Sequence, residues 1–286
     1  GGFRLRPNKD RFYSGEIPER YILSKKDLII AMTEQAEGLL GSPAFIPESD
    51  RYLHNQRLGL VVPNEGLADK VFLYYLFNTN IVRQQIRSSS SGTKVRHTSP
   101  ERIYNVKVCI PPIEIQKKIA AVLSAYDDLI ENNKRRINLL EKMADEIYRE
   151  WFVRFRFPGH EEVKFERGIP TGWSSLKLGE VAEITMGQSP KSKFYNKKGD
   201  GLPFIQGVGN YGQRFPKKTK YCSSNGRKAQ EGDVLFSVRA PVGRLNVADC
   251  EMIIGRGLAK IRHKDNFNSF LFFRIKMNYP VKSTLP

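Results

Sequence analysis

Hydrophobic and polar positions follow two different periods along this chain. Between Glu114 and Phe152 there is no Gly or Pro. Across that stretch Ile119, Leu123, Tyr126, Ile130, Asn133, Ile137, Leu140, Ala144, Ile147 and Trp151 recur at alternating spacings of 4 and 3. A sustained 3.5-residue repeat predicts one long helix whose narrow apolar seam pairs with another helix in a left-handed supercoil. Val122, Leu129 and Met143 widen the stripe. Asn133 is the one strongly polar member. Such a residue either fixes register and partner number at a cost in stability, or faces a gap or a polar partner, and both readings stay open. Pro111 and Pro112 open the element and Pro158 with Gly159 bounds it, which gives a helix of about 60 Å at 1.5 Å per residue.

On either side of this segment the pattern shortens to strand-like apolar runs, and the runs repeat. KDLIIAM (26–32), GSP (41–43) and LHNQRLGLV (53–61) are followed in order by their likenesses GDVLFSV (232–238), APVGR (240–244) and IIGRGLAKI (253–261). Each set then enters an aromatic apolar segment, from Phe72 in one and Phe270 in the other. An internal repeat of this kind predicts two copies of one structural unit. Matching the strings aligns Arg57 with Arg256 and suggests a shared structural role, such as facing a buried carboxylate at Asp27 or Asp233.

Charge changes this picture by separating the segments. Of a formal net charge of +17, residues 1–112 carry +5, residues 113–152 carry −1 and residues 153–286 carry +13. Two basic flanks around a neutral helix form an electrostatic footprint for nucleic acid, with a helix suited to meet protein. Three well-separated cysteines, Cys109, Cys222 and Cys250, suggest neither a disulfide framework nor a metal site. With no apolar run near the ~18 residues of a membrane span and no signal-peptide pattern at the start, the expected location is the cytoplasm.

Candidate binding chemistry concentrates in two places. From 191 to 220 the chain carries eight basic side chains against one acidic, interleaved with aromatic and amide residues. Lys191, Lys193, Lys197, Lys198, Lys217 and Lys218 suit phosphates, while Asn196, Asn210, Gln213 and Arg214 have side chains capable of bidentate contact with base edges. Gln188, Tyr195 and Tyr211 join them as candidate DNA contacts. In the first flank Arg83, Arg87, Ser90, Thr93, Lys94, Arg96 and His97 make a basic, hydroxyl-rich loop. No Gly-rich phosphate loop, metal-spaced His/Cys set, dinucleotide fingerprint or methyltransferase motif is present, so no catalytic site is expected.

The stretches IPTGWSSLKLGEVAEITMGQSP, EGDVLFSVRAPVGRLNVA, SSGT through IPP, and EIQKKIAAVLSAYDDLIENNKRRINLLEKMADEIYREWF resemble the specificity (S) subunit of type I restriction-modification enzymes. The resemblance covers nearly the whole chain. It implies an α/β (α+β) chain with two globular target-recognition domains joined by a long coiled-coil helix: residues 1–112, the C-terminal part of the first domain; 113–157, the spacer; and 158–286, the N-terminal part of the second. Against that pattern the front of the first domain, the end of the second and a second helix have no counterpart here. Each domain is expected to read half of a bipartite double-stranded DNA site, without catalysis by this chain. The partners implied are two methyltransferase (modification) subunits and restriction (motor/nuclease) subunits, which would carry S-adenosylmethionine, ATP and Mg2+. The alternative is a coiled-coil assembly scaffold whose lobes bind nucleic acid without sequence choice.

Overall fold

The computed structural model describes residues 11–34, 36–92 and 95–279. The chain forms two compact units, Gly1–Ile137 and Asn138–Pro286, with the boundary inside an unbroken helix rather than at either of its ends.

The first unit runs β1 (Ile22–Leu23), β2 (Leu28–Ala31), β3 (Pro43–Phe45), β4 (Tyr52–Leu53), β5 (Leu58–Val61), α1 (Lys70–Phe77), α2 (Asn80–Ser88), α3 (Pro100–Tyr104) and the start of α4 (Ile113–Phe152). Strand β2 lies between β3 and β5, both antiparallel to it, and β1 pairs with β4. Asp69 and Thr79 cap α1 and α2, their side chains accepting from the amides of Phe72 and Val82. Val82 and Ile86, four residues apart on α2, pack with Leu40 in a small core. Gly41 beside them has φ +71°, and a Cβ there would lie 2.7 Å from Ile86 Cδ1, so both backbone and packing require glycine.

After α4 the second unit continues with β6 (Phe165–Glu166), β7 (Ile169–Pro170), α5 (Leu178–Val181), β8 (Ala182–Met186), β9 (Tyr195–Asn196), β10 (Leu202–Ile205), β11 (Tyr221–Cys222), β12 (Lys228–Ala229), β13 (Val234–Ser237), β14 (Leu245–Val247), β15 (Met252–Ile254), β16 (Leu258–His263) and α6 (Asn268–Asn278). Two sheets form, in the orders β14-β13-β16-β8 and β12-β15-β10-β11-β9. Strand β13 is buried on both faces, which is why VLFS shows no polar alternation. Val234 joins Ile261, Leu271, Phe272, Phe273 and Tyr148 of α4, while Leu235 joins Ile205, Met252, Ile254 and Leu258 of the other core. Each large side chain buried this way contributes about 1.5–3 kcal/mol.

The two units share a common set of strands, register for register. Leu28 opposes Phe45 and Val61, and Val234 opposes Val247 and Ile261. Ile22 opposes Leu53 as Lys228 opposes Ile253. Even the turn before the central strand recurs: Ser24 N donates to Asp27 Oδ2 and Gln230 N donates to Asp233 Oδ2, both at 2.8 Å. Lys26 and Gly232 share the left-handed position of that turn, at φ 68° and 84°.

This register corrects the string alignment. Ala31 opposes Leu58 where Ser237 opposes Leu258, so Arg57 corresponds to Gly257 and Gln56 to Arg256. Nor does either arginine hold a carboxylate among the described residues. The fully buried Asp233 is held instead by Arg262 Nε at 2.5 Å and Lys260 Nζ at 3.8 Å. The first copy has Val62 and Leu60 at the corresponding positions, and its half-buried Asp27 has no such cations.

Candidate nucleic-acid interface

Each unit grips its part of α4 through a different chemistry. In the first, Gln116 is fully buried. Its Oε1 accepts from Asp69 N at 3.0 Å, and its Nε2 donates to the carbonyls of Leu67 at 2.9 Å and Pro111 at 2.8 Å. One turn on, Ala120 is buried as well. Tyr75 Oη donates to Asp127 Oδ2 at 2.8 Å. Burial first, and then Asp127 as acceptor and charge, push this phenol well above its usual range.

In the second unit the row Asn138, Glu141, Asp145, Tyr148 and Phe152 faces the lobe. Gln213 Nε2 donates to Asn138 Oδ1 at 2.7 Å, Arg214 Nη1 lies 3.2 Å from Glu141 Oε2, and Lys276 Nζ lies 2.6 Å from Asp145 Oδ2. Arg214 also stacks over the Phe272 ring at 4.2 Å. Tyr148 and Phe152 complete the row against the aromatic residues of α6.

The heptad seam occupies the neighbouring row and is uncovered. Ile119, Leu123, Tyr126, Ile130 and Ile137 are exposed in the first unit, as are Leu140, Ile147 and Trp151 in the second, with Leu140 at 61%. Asn133 is exposed among them, and Ala144 alone packs partly against a core. An apolar stripe left open over this length is the mark of an interface.

The basic stretch of the second unit is a set of built loops. Tyr195 stacks on Phe204 at 4.6 Å and donates from its hydroxyl to Pro190 O at 2.7 Å; burial raises this phenol's pKa. Asn196 Oδ1 accepts from the amides of Lys198, Gly199 and Asp200, and its Nδ2 donates to Asp200 O. That staple presents Lys197 and Lys198, both exposed, at the tip of a turn. Asn210 Oδ1 accepts from Gln206 N at 3.3 Å while its Nδ2 donates to Thr219 Oγ1 at 3.1 Å. The hydroxyl of Tyr211 is buried and finds no partner, and burial drives its pKa upward. Lys193 lies over the Phe194 ring at 5.0 Å, and Lys218 pairs with Asp249 at 2.8 Å, which raises the lysine's pKa.

These positions bear on the expectation for base readers without testing it. Asn196, Asn210, Gln213 and Arg214 have their amides or guanidinium engaged inside the protein, where they shape loops or hold α4. Left exposed and without an ion pair among the described residues are Gln188, Lys191, Lys193, Lys197, Lys198 and Lys217. Two exposed arginines that sequence reasoning did not place at the site, Arg239 and Arg256, line a cleft with Ser189 and Gln206. Their signal in the sequence was weak, because each is a lone arginine beside an apolar strand.

In the first unit the candidate loop is tied down more than its composition suggests. Arg83 Nη2 donates to Gly38 O while its Nη1 is buried without a partner, and burial lowers its pKa. Ser90 Oγ donates to Arg87 O at 2.6 Å, as does Arg96 Nη1 at 3.2 Å. Arg87 and Arg96 stand 3.9 Å from Glu37 and Glu34. His97 bridges Ser91 and Thr33 through its backbone, with Nδ1 3.2 Å from Thr33 Oγ1. Thr93 and Lys94 lie outside the described residues.

Among the described residues no group of three or more His, Cys, Asp or Glu is disposed to hold a metal ion, and no helix is long and apolar enough to cross a membrane.

Comparison with known proteins places this geometry. A protein of Methanocaldococcus jannaschii, provisionally named the MjaX type I restriction enzyme specificity subunit, is 34% identical over 241 residues, covering 82% of this chain and 55% of that protein. The HsdS subunit from Thermoanaerobacter tengcongensis is 31% identical, with 92% of this chain and 67% of that one covered and a TM-score of 0.39. The type I restriction-modification S subunit from M. genitalium shares the fold at 17% identity, with 91% and 65% covered and a TM-score of 0.54. The chain spans about half the length of the curated relative cited. The type I restriction modification DNA specificity domain matches residues 13–142, which take in most of α4, and 170–284, and the chain belongs to that family.

Proposed function

We propose that this chain is a non-catalytic subunit that reads double-stranded DNA for a type I restriction-modification complex. One observation carries the reading: a single strand-and-helix unit occurs twice, with matched register, on one continuous helix. Two copies of one binding unit on a shared element call for a target in two parts. Exposed lysines on the Lys191–Lys198 loop and Lys217 supply phosphate contacts, which give affinity and position without sequence choice. The seam from Ile119 to Trp151 is the surface for a second helix or for modification subunits, and the length of α4 sets the gap between half-sites. S-adenosylmethionine, ATP and Mg2+ belong on the modification and restriction subunits, in the cytoplasm.

A second reading is favoured by the engagement of Asn196, Asn210, Gln213 and Arg214 within the fold. It makes the chain an assembly scaffold whose lobes hold nucleic acid without choosing sequence. Selection from random duplexes by the chain co-expressed with a modification subunit separates the two. A discontinuous enriched motif is the expected result. An unenriched pool, with equally steep salt dependence for every duplex, would overturn the first reading in favour of the second.

A further inference from the structure

Glycine is required where φ is left-handed or where a Cβ would collide, and almost every described glycine meets one of these conditions or touches a neighbour. Gly255 and Gly257 are typical: a Cβ on Gly255 would lie 3.0 Å from Gln206 Cα, and one on Gly257 would lie 2.9 Å from Gln206 O. These two let the 206–210 loop dock on the strand connection, where Gly255 N also donates to Ile205 O at 2.9 Å.

Three described glycines have no left-handed φ, no collision and no neighbour within 4 Å of a Cβ. Gly179, Gly207 and Gly209 have φ outside the left-handed region, and open space surrounds the position of a Cβ on each. Gly179 sits on α5. Gly207 and Gly209 sit together on the loop Gln206–Asn210, which is held closed by Asn210 N to Gly207 O at 3.1 Å and by the Asn210 side chain on Gln206 N. Gly207 lines the same cleft as Arg239 and Arg256. Both arginines are exposed, neither forms an ion pair among the described residues, and no carboxylate lines the cleft.

We infer that Gly207 and Gly209 are kept free of side chains by something outside the chain, and that the occupant is a DNA sugar-phosphate backbone. It would lie against the loop with its phosphates on Arg239 and Arg256. A rigid, side-chain-free backbone next to two unpaired guanidinium groups matches the close approach and bidentate geometry that phosphate contact needs. This rests on the DNA-reading proposal and specifies where the second lobe touches the duplex.

The test uses the 286-residue chain with its co-expressed modification subunit and a labelled duplex from the selected pool. Gly207→Ala and Gly209→Ala should unfold at the wild-type temperature, since the added methyl meets nothing, yet bind about tenfold more weakly. Gly179→Ala should match wild type in both. Arg239→Gln and Arg256→Gln should weaken binding to selected and scrambled duplexes alike, each reducing the slope of log K against log salt by about 1. Wild-type affinity in both glycine variants, or an unchanged salt slope in both arginine variants, would overturn the inference while leaving the broader reading intact. Wild-type protein that binds every duplex equally would sink sequence reading, and weaker binding by the variants would still support this contact. Failure of the wild-type protein to bind any duplex would remove both.

Discussion

Arg214 Nη1 lies 3.2 Å from Glu141 Oε2, so a residue suited by type to read guanine instead fastens its lobe to the helix. The pair is largely shielded, and the guanidinium also lies over Phe272 and Phe273. Arg214→Ala is expected to lower the unfolding free energy of the second unit by about 2 kcal/mol, through the lost pair and the lost ring contact. Arg214→Lys should recover part of that loss, since it keeps charge but not the planar fork. Chemical denaturation of the three proteins checks the order.

The two copies should respond unequally to the same change at the turn before the central strand. Asp233→Asn leaves Arg262 beside a neutral amide in a fully buried site and should cost about 3 kcal/mol. Asp27→Asn, with no arginine partner and a side chain only half buried, should cost about 1 kcal/mol, mostly from the weakened bond to Ser24 N. Denaturation midpoints for each variant measure the difference, and equal losses would contradict it.

Charging the seam should separate folding from assembly. Ile130→Asp and Leu140→Asp alter exposed positions, so each is expected to change stability by within about 0.5 kcal/mol. Co-purification with the modification subunit should be lost. Retained co-purification would show that the seam is not the docking surface.

Deleting residues 128–134 removes one heptad from α4 and keeps the seam in phase to within about 20°. The helix shortens by about 10.5 Å, equivalent to roughly three base pairs at 3.4 Å each. Selection from random duplexes should return the same half-sites with a gap smaller by that number. An unchanged gap would end the idea that helix length measures the site.

The helix and the duplication were legible in the sequence because each is written as a period: 3.5 residues in one case, recurring apolar strings in the other. The register of the duplication was not, since matching arginines by eye placed Arg57 one residue out of phase. Only the pairing of Leu58 with Ala31 and of Leu258 with Ser237 fixes it. Site residues were the least legible. Asn, Gln and Arg serve base edges and internal staples with the same atoms, and composition does not tell Asn196 closing a turn from an asparagine offered to adenine. Gly207 and Gly209 read in the sequence only as a GVG that fails as a dinucleotide fingerprint, because what marks them is the emptiness around them.

The anchors of α4 differ in how readily substitution can undo them. Gln116 bonds to the backbone of Asp69, Leu67 and Pro111, groups that every replacement at 67, and every one but proline at 69, retains and that Pro111 offers through its carbonyl alone. Apart from Tyr75, which reaches Asp127 side chain to side chain, the lobe's side chains can change around this anchor so long as the loop path holds. In the second lobe the attachment runs side chain to side chain, through Arg214 and Lys276, and one codon change at either end severs a strut. One lobe thus tolerates change around its Gln116 anchor at little mechanical penalty, while the other must hold specific charges constant to keep its seat.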